Sequence, residues 1–437
     1  MDDIVAERNF SGPDGDSSSG DESDTKIKTS TLYEAPTSAR SKETGFHKTA
    51  RLCLKGIRDA LLHLRWQDAA LFLAEYSQTL EDTTVKKQLL ASEIIWRLGA
   101  EILQHHPKAN LDDFNAMYER LKNCGVKHYA KICLEHCFHL LLNGQFNDAK
   151  RQLSIAASWS YGKQNAKQAL ELSLIQAYCG FLDYFLWCTK KHSVISAGDQ
   201  KTDNETDMEM HSYFKQSSVA LQEIIQQPGV WDPFILSYVD MLEFYNDKAT
   251  ALNVLKDYAY RQDYPANPNA HVYLYKFLKR HGAPQVKLIG TLRVLHYLVP
   301  SHELMLEFSC LLRKEGHKKV DSLKESLAVA MDLLDYPCWK LDLRAWKCLL
   351  KILTVFQNEL LTNPVREEWK KRKEIWLLMH FRYCNAVEDF LHNKECLQLK
   401  TKVALIIGKS QFYQYLKART WSRMQDGNHE MQTTATD

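Results

Sequence analysis

No Cys-x-x-Cys pair occurs in this chain, although 11 cysteines are scattered over its 437 residues. The paired-cysteine redox and zinc-ribbon motifs are thereby excluded. The odd cysteine count, behind a first segment too acidic and polar for a secretion signal, points to reduced thiols in cytosol or nucleus. An excess of one charge is also missing: 56 Lys and Arg stand against 54 Asp and Glu, for a net charge of +2 and a pI near 7.9. A surface that coats nucleic acid as a whole is excluded, so any DNA contact is local. No convincing run alternates in the strand pattern. The longest apolar stretch, Leu172 to Thr189, is long enough to span a bilayer but contains Gln176 and Asp183. It reads as a helix buried between two neighbours, and no membrane is expected.

What remains is the composition of a soluble globular protein, 45% hydrophobic and 25% charged. The length suits two or three domains or one extended repeat array. Residues 1–46 read as a disordered acidic tail, with Asp14, Asp16, Asp21, Glu22 and Asp24 set among Ser17, Ser18, Ser19 and glycines. Ser18 and Ser19 each have an acid three positions on, which suits an acid-directed kinase or simply a solvated tail. Helical spacing takes over from His47. Leu52, Ile57, Leu61 and Leu64 mark one face, and a second helix runs from Trp66 through Ala69, Leu73 and Tyr76. Val320, Leu323, Leu327, Ala330 and Leu334 repeat the pattern late in the chain.

Breakers at Pro107, Gly125, Gly144, Gly162, Pro228, Pro265, Pro284, Pro300, Gly316, Pro337 and Pro364 leave room for helices of three to five turns. Asp232, Asn267 and Asn363 each precede a proline and are expected to cap the helix that follows. Ala149, Leu153 and Ala156 follow Gly144 and Phe146. Ala69, Leu73 and Tyr76, and Ala251, Leu255 and Tyr258, repeat the offsets. A small alanine lets the second helix of a hairpin approach the first, as in half of a tetratricopeptide repeat. The predicted fold is all-α, an α-solenoid of degenerate helical hairpins. A helical block over 47–192, a polar loop over 193–210, a second block over 211–421 and a disordered tail over 422–437 complete the expectation. The loop either divides two arrays or is an insertion within one.

Two enzymatic motifs fall short. Gly408-Lys409-Ser410 follows an apolar run like the end of a phosphate-binding loop, but Val403 stands where the first glycine is needed. His302-Glu303 opens like a zinc-protease helix, but Leu306 replaces the second histidine. Cys133, His136, Cys137 and His139 share one helix, near Cys124 and His128, where cysteine serves as a small buried residue or as a metal ligand; core packing is the expectation. No catalytic, cofactor or metal residue is assigned. Lys370, Lys371, Arg372 and Lys373 form a basic run that suits nuclear import or a solvated helix face paired with Glu367, Glu368 and Glu374. Lys400, Lys402, Lys409, Lys417, Arg419 and Arg423 accumulate with no acid before Gln425, interleaved with Phe412, Tyr413, Tyr415 and Trp421. They suit nucleic acid, an acidic partner, or a final helix that caps the array. Trp231, Phe234, Tyr238 and Tyr273 belong to an aromatic group that is either core or the lining of a partner groove.

The segments PGVWDPF, SYVDMLEFYND, NPNAHVYLYKFLKR and VPSHELMLEF, in this order from Pro228 to Phe308, carry a resemblance, as does EIIWRLGAEILQHHPK from Glu93. They resemble the A-subunit family of TATA-box-binding-protein-associated factors for RNA polymerase I. The likeness extends more weakly from about His47 to about Gly408. After Lys417 the chain departs, ending GNHEMQTTATD where a longer basic tail is expected. The resemblance implies a non-enzymatic subunit of the promoter selectivity factor. It implies assembly with the TATA-box-binding protein and other polymerase I-specific associated factors. It also implies cooperation with the upstream binding factor, contact with the ribosomal DNA promoter through the complex, and residence in nucleus and nucleolus. No small-molecule substrate is implied. The residues alone also accommodate a generic helical-repeat adaptor that binds peptides outside transcription.

Overall fold

Five helix ends share one turn. Leu64, Gly144, Asn246, Gly282 and Leu360 each take the left-handed conformation, with φ of 55°, 74°, 61°, 64° and 58°. In each, the next residue's amide donates to a carbonyl five residues back: Arg65 to Ala60 at 2.8 Å, Gln145 to Leu140 at 2.9 Å, Asp247 to Leu242 at 2.8 Å, Ala283 to Leu278 at 2.9 Å and Leu361 to Phe356 at 3.0 Å. This is the Schellman closure, which satisfies the last carbonyls of a helix and turns the chain into the next one. The accepting residues are all buried. The turn is thus repeated together with the apolar residue that anchors it.

The structure is a computed structural model that describes residues 45–81, 83–123, 128–158, 166–197, 204–227, 229, 231–262, 265–316, 319–413 and 415–417. Among the described residues there are helices and no strand. The chain divides into two compact units, residues 1–114 and 115–437. In the first, α1 (Gly45–Leu62) packs on α2 (Trp66–Glu81), which packs on α3 (Val85–His105). Its core is built from Ala50, Cys53, Ile57, Ala60, Ala69, Tyr76, Leu80, Ala91 and Ile102. The expected apolar face of α1 shifts accordingly: Leu52 and Leu64 are exposed, and Leu64 sits in the left-handed turn beyond the helix. Helix α1 also begins two residues inside the expected tail, of which residues 1–44 lie outside the described residues, as does 422–437. Helix α4 (Leu111–Lys122) spans the division between the units.

The second unit continues with α5 (Tyr129–Leu142), α6 (Phe146–Ser158), α7 (Ala166–Ala197), α8 (Asn204–Ile224), α9 (Asp232–Phe244), α10 (Lys248–Tyr260) and α11 (Pro268–Arg280). Then come α12 (Gln285–Leu298), α13 (Leu304–Gly316), α14 (Val320–Leu334), α15 (Leu343–Asn358), α16 (Thr362–Met379), α17 (Tyr383–His392) and α18 (Lys394–Gly408). From α5 to α15 each helix packs against the next, the arrangement of a hairpin array. The recurrent alanines are packed in the cores between helices: Ala149 and Ala251 are fully buried, as is Ala69 in the first unit.

Helix α7 packs on α5, α6, α8 and α9, and its Asp183 is buried against Lys150 at 2.6 Å. Pairing offsets the cost of burying a carboxylate, and among the described residues no helix is long and apolar enough to cross a membrane. Gly180 on α7 lets α8 approach so closely that a Cβ there would lie 2.6 Å from Ala220 Cβ. The Ser217 hydroxyl donates to the Gly180 carbonyl at 2.7 Å. The polar segment 193–210 is therefore mostly the ends of two helices in one hairpin, with 198–203 outside the described residues.

Candidate functional site

The central aromatic and polar residues converge on Asp232. Its position before Pro233 reads as a helix cap, but Trp231 occupies the cap position and the Asp232 side chain turns away. It accepts hydrogen bonds from the Tyr258 hydroxyl, Asn267 Nδ2 at 3.3 Å, Asn269 Nδ2 at 2.9 Å and the Tyr273 hydroxyl at 3.0 Å. Burial works against the charge, but the bonds from Tyr258, Asn269, Tyr273 and Asn267 outweigh it and hold the carboxyl below its usual range. Burial, then the Asp232 contact, pushes the Tyr258 hydroxyl up. Asn267 does cap its helix, accepting the Asn269 amide at 3.0 Å while its amide group also reaches Tyr258 Oη at 2.6 Å. Helices α9, α10 and α11 are thus clamped through one anion.

Of the four aromatic candidates, Phe234 and Tyr238 are buried, at 1% and 6% exposure, and serve the core of α7 to α11. Tyr273 is half-buried with its hydroxyl committed to Asp232. Trp231 alone is exposed, at 50%, with its ring edge-on to Phe181 at 5.6 Å and to Phe234 at 5.3 Å. Of these four, Trp231 is the one that leaves a large part of its ring at the surface. Tyr258 and Asn269 complete the cluster without having been site candidates in the sequence, where Tyr258 marked hairpin spacing and Asn269 an Asn-Pro-Asn turn.

The two basic segments split by face. Lys370, Lys371 and Lys373 are exposed on α16, with Lys371 at 2.5 Å from Glu368. Arg372 turns inward to Asp332, to Asp335 at 2.8 Å and to Glu368 at 2.6 Å. Trp376 Nε1 donates to Asp335, and His296 reaches Asp332 at 2.9 Å. Burial opposes the guanidinium charge, yet Asp335, Glu368 and Asp332 raise its pKa further. Arg372 is therefore a tie between α14 and α16 and not part of an exposed import run. Near the end of the chain Lys402 and Lys417 are exposed, whereas Lys400 is fully buried against Asp389. Phe412 and Tyr415 are buried and Tyr413 is exposed. The Lys409 side chain, Arg419, Trp421 and Arg423 lie outside the described residues.

Residues 59–420 match the family described as the TAF RNA Polymerase I A subunit. The chain is 42% identical over 390 residues to a Mus musculus protein, named there as the TATA box-binding protein-associated factor RNA polymerase I A subunit. The match covers 88% of this chain and 85% of that one. The Homo sapiens protein of the same name is 42% identical over 392 residues, covering 88% and 86%. This chain belongs to the TAF RNA polymerase I A-subunit family. The family match takes in the Asp232 cluster, the Arg372 tie and the Lys400 pair; Arg423 and most of α1 lie beyond it.

In this family member the cysteine–histidine helix is packed. Cys133 and Cys137 are buried in the α5–α7 core, and burial pushes the Cys137 thiol up to about 12. His136 spends both ring nitrogens on protein, Nε2 with Asn115 at 2.9 Å and Nδ1 with Lys122 at 3.0 Å. Burial, then Lys122, lowers its pKa to about 4. The apolar run before Gly408 lies in helix α18, where a phosphate-binding loop requires a strand. His302 precedes α13, where its Nδ1 accepts the Leu304 amide at 3.1 Å.

Proposed function

We propose that the chain is a non-enzymatic scaffold subunit of the RNA polymerase I promoter selectivity complex. In this reading it assembles with the TATA-box-binding protein and other polymerase I-specific associated factors at the ribosomal RNA gene promoter. With the upstream binding factor, it promotes pre-initiation complex formation and polymerase I recruitment in the nucleus and nucleolus. The family match across residues 59–420 carries this proposal. Successive packed helices support it physically, since such an array exposes a long surface on which several partners are held at once. Trp231 is the anchor for one partner, as a half-exposed tryptophan backed by the Phe181 and Phe234 rings is suited to be. The exposed lysines Lys370, Lys371 and Lys373 serve nuclear import.

DNA selectivity belongs to the assembled complex. Lys402 and Lys417 give the isolated protein two described cations near its end, and each neutralised phosphate adds roughly one unit to the slope of log affinity against log salt. Gel shifts with ribosomal promoter and scrambled DNA at physiological salt test this. Weak binding, equal for both sequences, is expected of the purified protein. Tight and promoter-selective binding without the other factors would overturn the scaffold reading.

A further inference from the structure

Helix α1 carries a basic stripe on the side away from its packed face. Ala50, Cys53, Ile57 and Ala60 are buried in the core. Lys48, Arg51, Lys55 and Arg58 recur at intervals of three and four residues, which on an α-helix confines them to an arc of about 80°. All four are exposed. Among the described residues, Lys48, Lys55 and Arg58 make no hydrogen bond or ion pair. The one carboxylate on the helix, Asp59, is half-buried at the flank of the stripe, and the first turn holds no acid. Like charges one turn apart repel, and the helix N-terminus adds its own positive end. Lys48, Lys55 and Arg58 are open to an anion.

The same chain holds one. Asp14, Asp16, Asp21, Glu22 and Asp24 stand in a segment without a single Lys or Arg. The 20 residues between Asp24 and Gly45 reach about 70 Å when extended, against about 27 Å for the length of α1. The acidic segment can therefore fold back along the whole stripe, and a tether of this length holds it at an effective concentration on the order of millimolar. We propose that Asp14–Asp24 docks on the stripe formed by Lys48, Arg51, Lys55 and Arg58, and shields it from nucleic acid. Lys48, Arg51, Lys55 and Arg58 precede the residues matched to the family, and the inference does not rest on the proposed function.

Zero-length carbodiimide cross-linking of the full chain, mapped by mass spectrometry, tests the contact. Amide links from the Asp14–Asp24 carboxylates to Lys48 or Lys55 are expected at about 20 mM salt, falling several-fold at about 0.5 M as screening shortens the reach of the charges. Replacing the five acids by Asn or Gln is expected to tighten binding of a random-sequence DNA duplex about tenfold at low salt. Adding K48E, K55E and R58E to that variant is expected to abolish the gain. All three positions are exposed, so the fold is retained. Links that join the segment to other lysines, or equal DNA affinity with and without the five acids, would overturn the proposal. The second result would assign the stripe to nucleic acid in the resting chain.

Discussion

Lys400 Nζ lies 2.7 Å from Asp389 Oδ1, and both side chains are completely buried. The ammonium also reaches Oδ2 at 2.9 Å and lies 5.2 Å above the Trp346 ring, while the Tyr415 hydroxyl donates to Oδ2 at 2.7 Å. Pairing is what makes the burial of either charge tolerable. Tyr415, two residues before the end of the described chain, is thereby fastened to α17 and α18. Lys400→Met is expected to lose about 3–5 kcal/mol, because Asp389 is left charged and unpaired. The double variant Lys400→Met, Asp389→Leu is expected to regain most of it. Thermal melts followed by circular dichroism decide; equal losses for the single and the double variant would speak against the pairing.

The left-handed turns predict stability changes of opposite sign. Leu64 and Leu360 hold φ near +60° with side chains 69% and 84% exposed, so their strain is not offset by packing. Leu64→Gly and Leu360→Gly are each expected to stabilise by about 0.5–1 kcal/mol. Gly144→Ala, with open space around the added methyl, is expected to cost about 1 kcal/mol from backbone strain alone. Urea titrations of the three variants provide the check.

Helix crossings supply a second pair of signs. Gly180→Ala drives a methyl into Ala220 and is expected to cost about 1–3 kcal/mol. Gly290 lies in the middle of α12 with nothing within 4 Å of a new Cβ. Gly290→Ala is expected to stabilise by up to about 1 kcal/mol through helix propensity. Ala149→Phe overpacks the α5–α6 crossing at a similar cost of about 1–3 kcal/mol, whereas Ser17→Phe leaves the melting temperature unchanged.

His380 sets a pH dependence. It is fully buried, with Nε2 donating to the Leu334 carbonyl at 2.9 Å and its ring edge-on to Trp346 and Trp376. Burial, then Lys400, lowers its pKa to about 3. The unfolded chain takes up this proton near pH 6.5 and the folded chain does not, so stability present above pH 6.5 is lost as the pH falls toward 3. At pH 5 the loss is roughly 2 kcal/mol. His136 adds to the same slope through its own lowered pKa. His380→Gln is expected to melt lower at pH 7 but to lose less between pH 7 and pH 5; an unchanged drop would refute this assignment.

The all-α array was legible because its signals are local. The small residues Ala69, Ala149 and Ala251 announced buried positions, and Asn267 its cap, within a few positions of the breakers that end the helices. Asp183 in an apolar run foretold a buried helix. The site was less legible because its partners are remote. Asp232 looks like a cap until Tyr258 and Tyr273 arrive from 26 and 41 residues away. Arg372 and Lys400 sit in basic runs, and nothing in those runs shows that Asp332, Asp335 and Asp389 lie beneath them. The polar composition of 193–210 left a divider between two arrays and an insertion within one equally open, because helix ends and linkers share the same residues.

Partnership in the RNA polymerase I promoter factor is open to a direct test. The tagged full chain is purified by affinity from nuclear extract, and the proteins recovered with it are identified by mass spectrometry. The TATA-box-binding protein and polymerase I-specific associated factors are expected to dominate, with recovery of at least one of them reduced by Trp231→Ala at unchanged melting temperature. Recovery dominated by chaperones or trafficking proteins, without ribosomal RNA gene factors, would contradict that partnership.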